Sequence, residues 1–234
     1  MNEQRGERRK IGHMNEVAWV LGLVLCALGI CLTVKADFGL SMIAAPAYIL
    51  HVGLVKVVPW YSQGTSEYVL QGVLLLVLCL VIRRFRLKYL LSFGTAVIFG
   101  FILDGWFIIF GGSSAYEGLP LRILAFCLGE MIGGLSIAFF FRTRLPLEIY
   151  ELFVTELSDR FKLNTAKVKQ CYDAGSLLLS LLLALVVNHS FAGIGIGTVI
   201  LTLVNAPVIA FFGKILDRFF TFESLFVKKE DKTK

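Results

Sequence analysis

The sequence predicts an all-α membrane protein with six transmembrane helices, arranged as two inverted three-span repeats. Each repeat is expected to carry an extra re-entrant or amphipathic helix after its first span. Three observations lead there. Mean hydropathy is +0.77 and 57% of residues are hydrophobic, with several runs near the roughly 18–20 apolar residues that a bilayer crossing needs. Residues 94–110 and 197–213 both open with Gly-Thr and continue as membrane-length apolar stretches. Gly94 and Gly197 lie 103 residues apart, and so do Gly72 and Gly175, one hydrophobic segment upstream of each. Finally, the 23 Lys and Arg residues are distributed unevenly between alternate loops.

Residues 1–16 form a basic tail with Arg5, Arg8, Arg9 and Lys10. No signal-peptide pattern follows, so the first span, about 17–34, is expected to be retained. It contains Gly22 and Gly29, which suit close helix contact, and ends at Lys35-Ala36-Asp37. Residues 38–58 are apolar but interrupted by Pro46, His51 and Lys56. They read as a re-entrant or interfacial helix, with Ser41 at its N-cap and Pro46 in an early turn.

The second span, about 67–82, is short and carries Gln71 and Gly72; the basic run 83–88 follows it. The third span is about 89–110, and the fourth, about 119–141, holds Glu130 near its middle. Beyond the fourth span, Tyr150, Phe153, Leu157 and Phe161 repeat on one helical face, with Glu148, Glu151, Glu156 and Asp159 mostly elsewhere. That stretch, 145–162, reads as an amphipathic helix, led by Pro146 and too charged to span. The fifth span, about 171–187, begins with Asp173 and Gly175. A Gly-rich approach leads to the sixth, about 194–213, and a polar basic tail occupies 214–234. The first repeat is therefore 17–110 and the second 119–213.

With six spans, one side receives 20 of the Lys and Arg residues and the other receives Lys35, Lys56 and Arg122. The positive-inside rule then puts both termini in the cytoplasm of a bacterial inner membrane. A span at 38–58 would erase most of that bias. Three spans per repeat is an odd number, so the second copy enters from the opposite face and the duplication is inverted. Short or broken segments that correspond in the two halves point to a binding site at the repeat interface.

Glu130 is the most informative polar residue. An ionisable group at mid-span costs at least a few kcal/mol unless it faces protein or water. It is the candidate proton or cation site; the competing reading is a neutral interhelical contact. Asp104 in the third span and its repeat counterparts Asn205 and Pro207 in the sixth are candidates for lining the same pathway. Asp37 and Ser41 are candidates for an outer vestibule, and Glu148 and Glu151 for an inner one; helix capping or solvent contact is the alternative for each. Trp19, Trp60 and Trp106 read as interfacial anchors.

Other classes fit less well. The five cysteines are scattered, mostly within apolar spans, without a C-x-x-C, and the three histidines form no pair. No H-E-x-x-H, G-x-S-x-G or phosphate-binding loop is present. Gly193, Gly195 and Gly197 lack the strand context of a dinucleotide fingerprint. The chain is therefore expected to be no enzyme, to carry no cofactor or metal, and to bind no nucleic acid. Its partners are the lipid bilayer and a small solute or ion, and the possibility of a homo-oligomer stays open.

The motifs Gly39-Leu40-Ser41, Gly195-Ile196-Gly197-Thr198-Val199 and the Pro207–Phe211 stretch, with the Gly-containing first span and the repeated Gly-Thr openings, resemble the YczE/YyaS/YitT-like bacterial membrane proteins. The resemblance covers about 17–213. It departs from the family pattern at Ser41-Met42-Ile43-Ala44, where a Pro-Trp-Asp-like stretch is more usual. It implies a bacterial inner-membrane protein with a transport-related role, and supplies no substrate. The expected function is movement of a small solute or ion by alternating access. The alternative is a non-transporting scaffold or accessory factor that stabilises a partner.

Overall fold

The computed structural model describes residues 15–143, 145, 148–188 and 193–220. The basic N-terminal tail, Pro146, residues 189–192 of the Gly-rich approach to the sixth span and the end of the C-terminal tail lie outside these residues. In chain order the helices are α1 (Asn15–Ala36), α2 (Ala45–Leu54), α3 (Gln63–Ile82), α4 (Leu87–Ile109), α5 (Leu119–Phe140), α6 (Ile149–Phe161), α7 (Thr165–Leu183) and α8 (Ile196–Phe219). A π-helical turn, Ala184–Asn188, extends α7. Six of these helices (α1, α3, α4, α5, α7 with its extension, and α8) are long and apolar enough to cross a membrane.

Local signals account for the boundaries. α1 stops where Asp37 adopts φ 52°, and α3 stops where Arg83 adopts φ 54°. Both are left-handed positions that a continuing helix cannot take. Ser62 caps α3 by accepting from the Thr65 amide at 3.0 Å. Pro120 sits in the first turn of α5, where its missing N–H costs nothing. Pro46 does the same for α2, whose N-cap is Ala44 rather than Ser41. Ser41 still contributes, since its hydroxyl accepts from the Ala44 amide at 3.4 Å.

Packing follows the small residues. α1 packs most extensively on α5, and they cross at glycine. A Cβ placed on Gly29 would lie 2.9 Å from the Gly129 carbonyl oxygen and 3.0 Å from the Gly133 nitrogen. Only glycine allows that backbone approach. α4 joins α1 through Trp106, whose indole donates to the Val24 carbonyl at 3.0 Å. The main core gathers Leu23, Ala27, Phe99, Leu103 and Phe107 with Leu40 and Ile49 from around α2.

The two ends of the bundle are fastened differently. At the end holding Ala36, the far end, Lys35 donates to the carbonyls of Gly112 and Ser114, and Arg122 pairs with Asp37 at 3.2 Å. The Gly197 amide there donates to the Phe38 carbonyl at 2.7 Å, docking the start of α8. At the opposite, near end, Arg142 closes α5 onto α8 with bonds to Asp217 at 2.6 Å and to the Gly213 carbonyl at 2.7 Å.

Helix neighbours fall into matched sets. α1 packs on α4 as α5 packs on α8; α2 packs on α3 as α6 packs on α7; α2 meets α7 as α6 meets α3. Two pairs break the correspondence. α4 meets α6, with no matching α2–α8 contact among the described residues. α3 packs along α4, whereas α7 and α8 make no close backbone contact among the described residues.

Several sequence expectations shift. α3 begins at Gln63, earlier than 67, because Ser62 and Asp104 supply its cap. The fifth span starts at Thr165 rather than near 171; within its polar first turns Lys169 pairs with Asp173 at 3.1 Å. α8 runs on to Phe219, past the expected tail start at Lys214, held by Arg142. Trp60 is 77% exposed, as an anchor would be, but Trp19 and Trp106 pack against the core. α6 is buried on more sides than an amphipathic surface helix: Ile149, Tyr150, Val154, Glu156 and Ser158 are all buried, and Phe161 is exposed. Of its acids, Glu156 is met by specific partners instead of water.

Candidate functional site

The start of α6 is fixed by a glutamine. Gln71 lies eight residues beyond the start of α3 and is fully buried. That places it about 12 Å along the helix. Its Nε2 donates to Glu148 at 3.2 Å and its Oε1 accepts from the Ile149 amide at 3.0 Å. One amide thus satisfies both the residue before α6 and one of the helix's orphan first-turn donors. Next along α6, the Tyr150 hydroxyl donates to Glu67 at 3.0 Å. Further on, Glu156 accepts from Lys88 and, at 2.7 Å, from Tyr89, with Arg86 at 3.6 Å. α6 therefore runs from mid-α3 to the α3–α4 turn, with its N-terminus inside the bundle. Burial alone would raise the Glu156 carboxyl, but its bonds to Lys88 and Tyr89 and the Arg86 charge hold it below the usual range.

α2 is set from the opposite end. The Leu40 amide donates to the Gly193 carbonyl at 2.9 Å, at the start of α8. The chain then turns, and α2 returns towards α3, where His51 Nδ1 donates to the Tyr61 carbonyl at 3.0 Å.

Between the N-terminal ends of α2 and α6 lies a cavity of about 360 Å³. That volume is in the range of small-molecule sites. Ser41 to Ala44 line it from the turn leading into α2, Glu148 from the N-cap of α6, Tyr150 and Glu151 from α6, and Glu67 from α3. α1 and α5 contribute Gly29, Thr33, Gly129, Glu130 and Gly133, while Thr202 and Asn205 come from α8 and Lys169 and Asp173 from α7. Phe99, Phe140, Ile30 and Leu201 supply apolar wall. The glycines of the α1–α5 crossing let bare backbone form one side.

Among the described residues, four carboxylates in this cavity each have a buried oxygen without a hydrogen-bonding partner: Oε1 of Glu67, of Glu130 and of Glu148, and Oδ1 of Asp173, which has the Lys169 ammonium as an ion-pair partner. Glu67 is 1% exposed and Glu148 8%. Such oxygens are costly unless a proton, water or cation meets them.

The structure thus brings Glu130, Asn205, Ser41 and Glu148 to one cavity, from four different helices or their flanks. It places Asp104, Asp37 and Pro207 elsewhere. Asp104 caps α3, accepting from the Ser62 hydroxyl at 2.6 Å and the Gly64 amide at 2.7 Å. Asp37 pairs with Arg122 at the far end. Pro207 lies inside α8 with its side chain exposed, and leaves the Leu203 carbonyl without its amide partner. Glu67 and Tyr150 were not singled out as site residues from the sequence. Glu67 sits at a span boundary, where an acid reads as solvated, and its one signal is that α3 starts four residues before it.

Residues 14–214 match a family described as a family of unknown function, DUF6198. The chain is 27% identical over 211 residues to the uncharacterized protein YyaS of Bacillus subtilis (strain 168), covering 88% of this chain and 96% of that one. This bears out the resemblance drawn from the Gly-Leu-Ser and Gly-Thr motifs. No solved structure matches. Six apolar helices make the chain a multi-pass membrane protein, and the match across nearly its whole length means that it belongs to the DUF6198 family.

Proposed function

We propose that the protein moves a small solute or ion across a bacterial inner membrane by alternating access, with the central cavity as its site. The observation behind this is the placement of that cavity. It lies where the N-terminal ends of two short helices, α2 and α6, approach from opposite ends of the bundle. Non-spanning helices that end at mid-depth beside a cavity bearing carboxylates are a transporter arrangement.

The matched helix contacts support reading the halves as inverted repeats, with α1 to α4 corresponding to α5 to α8. On that reading α1 and α5 are equivalent and meet at the pseudo-two-fold axis, and the cavity sits beside their glycine crossing. The near end carries the basic loops and is taken as cytoplasmic, in keeping with 20 of the Lys and Arg residues assigned to that side. Asp37–Arg122 and Arg142–Asp217 then close opposite ends of α5.

Cysteine accessibility tests this without knowing the solute. Cys26, Cys31, Cys79, Cys127 and Cys171 are replaced, and Ser41→Cys is introduced in the cavity. Alternating access expects a membrane-impermeant maleimide to reach it in both right-side-out and inverted vesicles. Labelling confined to one orientation under every condition would favour a non-transporting scaffold.

A further inference from the structure

We propose that the cavity binds a small organic cation: an amine or ammonium head set against Glu67 and Glu148, with an apolar body along the α1, α4 and α5 wall. This rests on the reading of the cavity as the transport site and names the class of solute.

The charge balance decides the sign. The lining includes five acids, Glu67, Glu130, Glu148, Glu151 and Asp173, against one base, Lys169. Lys169 is already paired with Asp173 at 3.1 Å. Burial pushes the Glu148 carboxyl towards its neutral form, and whichever of these acids is ionised attracts a cation and repels an anion. The N-terminus of α6 does not reverse that, because Glu148 and Glu151 already occupy its end and first turn.

The acids are more than a cluster, because two of them are buried and incomplete. Glu67 and Glu148 each spend one oxygen on a protein donor, Tyr150 and Gln71 respectively. Each leaves its other oxygen buried without a partner, on the cavity wall. Glu148 also lies within electrostatic reach of Glu67 and Glu151. A group carrying positive charge and several N–H donors is the complement such a pair of oxygens lacks.

The same wall argues against a bare metal ion. Among the described residues no three His, Cys, Asp or Glu side chains converge closely enough to hold one. The carboxylates are instead spread along a cavity of about 360 Å³ whose remaining surface is mostly apolar, with Ile30, Phe99, Phe140 and Leu201. α7 and α8 both contribute lining residues yet do not pack together.

The test is equilibrium binding to the purified full-length protein, read as thermal stabilisation. The probes are ethyl-, butyl- and hexylammonium, each matched by the alcohol and the carboxylate of equal chain length. The ammonium ions should raise the melting temperature, with affinity growing about four-fold per added methylene until the cavity is filled. The matched alcohols and carboxylates should give little or no shift. Glu67→Gln and Glu148→Gln keep an acceptor for Tyr150 and Gln71, so both should fold, and each should weaken ammonium binding at least ~10-fold. Equal stabilisation by alcohols, preference for carboxylates, unchanged affinity in both folded variants, or no ammonium effect on folded wild type would each overturn the assignment. Because binding is measured without a membrane, it separates from the transport reading. Ammonium binding with one-sided cavity access would keep this site and remove transport; two-sided access without ammonium binding would do the reverse.

Discussion

Gln71 meets Glu148 at 3.2 Å while its other amide atom takes the neighbouring Ile149 N–H at 3.0 Å, so a single fully buried side chain seats α6 on α3. Gln71→Leu removes both partners at once and leaves a buried carboxylate oxygen and a buried amide unmet. The expected loss is about 2–4 kcal/mol, measured by unfolding of detergent-solubilised protein. Gln71→Glu keeps the Ile149 acceptor but sets a second acid against Glu148, and should recover little.

Asp104 is a capping residue in this fold. Asp104→Ala should cost about 2 kcal/mol, because the Ser62 hydroxyl and the Gly64 amide at the α3 N-terminus both lose their acceptor. Asp104→Asn keeps one acceptor oxygen and should cost less. Cavity binding, read at a temperature where both variants are folded, should stay within about two-fold of wild type. A selective loss of binding in the Asn variant would return Asp104 to the solute pathway.

Glu156 sets a pH dependence. Its folded value lies below that of the unfolded chain, because Lys88, Tyr89 and Arg86 outweigh burial. The stabilisation is therefore fully present above the unfolded carboxylate value of about 4.3. It is lost as pH falls through the lower folded value. Melting curves of wild type and Glu156→Gln should differ most near neutral pH and converge in acid. A gap that widened as pH fell would contradict the sign.

Gly29 has no room for a larger side chain. A Cβ there would meet the backbone of α5 at 2.9 to 3.1 Å, and main chain cannot swing aside. Gly29→Leu should destabilise by about 1–3 kcal/mol and, since Gly29 and Gly129 both line the cavity, should also reduce ligand binding. Gly105→Leu, at a position with open space around its Cβ, is the matched control and should do neither.

Glu130 tests the transport proposal. Its unpartnered oxygen faces the cavity from mid-α5. Glu130→Gln should leave the melting temperature nearly unchanged and cut butylammonium-driven proton movement in dye-loaded proteoliposomes about 10-fold or more. Equal rates in wild type and variant at every pH would remove the assignment.

The six spans and the short helix after the first were legible because hydropathy and helix breakers are local signals. Pro46, His51 and Lys56 mark α2 within its own stretch of chain. Glu130 was legible for a related reason: an acid at mid-span stands out against its apolar neighbours. The cavity's other acids were harder to read. Glu148 lies in a charged stretch, and its burial depends on Gln71, 77 residues away. Glu67 needs Tyr150, 83 residues on. Asp104 looked like a pathway residue because its cap partners, Ser62 and Gly64, come from the previous helix. What the sequence hid was the pairing of polar groups across helices, which hydropathy does not encode.

α8 is clamped at both ends, by the Phe38 carbonyl at Gly197 and by Arg142 at Gly213 and Asp217. Pro207, where the hydrogen-bond ladder is interrupted, falls at its midpoint. A rod fixed at its ends yields first at its weakest section. The compliant section of α8 is therefore beside Asn205 at the cavity, backed by α5 on one side and free of α7 on the other. Bowing there would shift Asn205 and the cavity wall it belongs to while both anchorages hold, as a spring gives by elastic deflection and return.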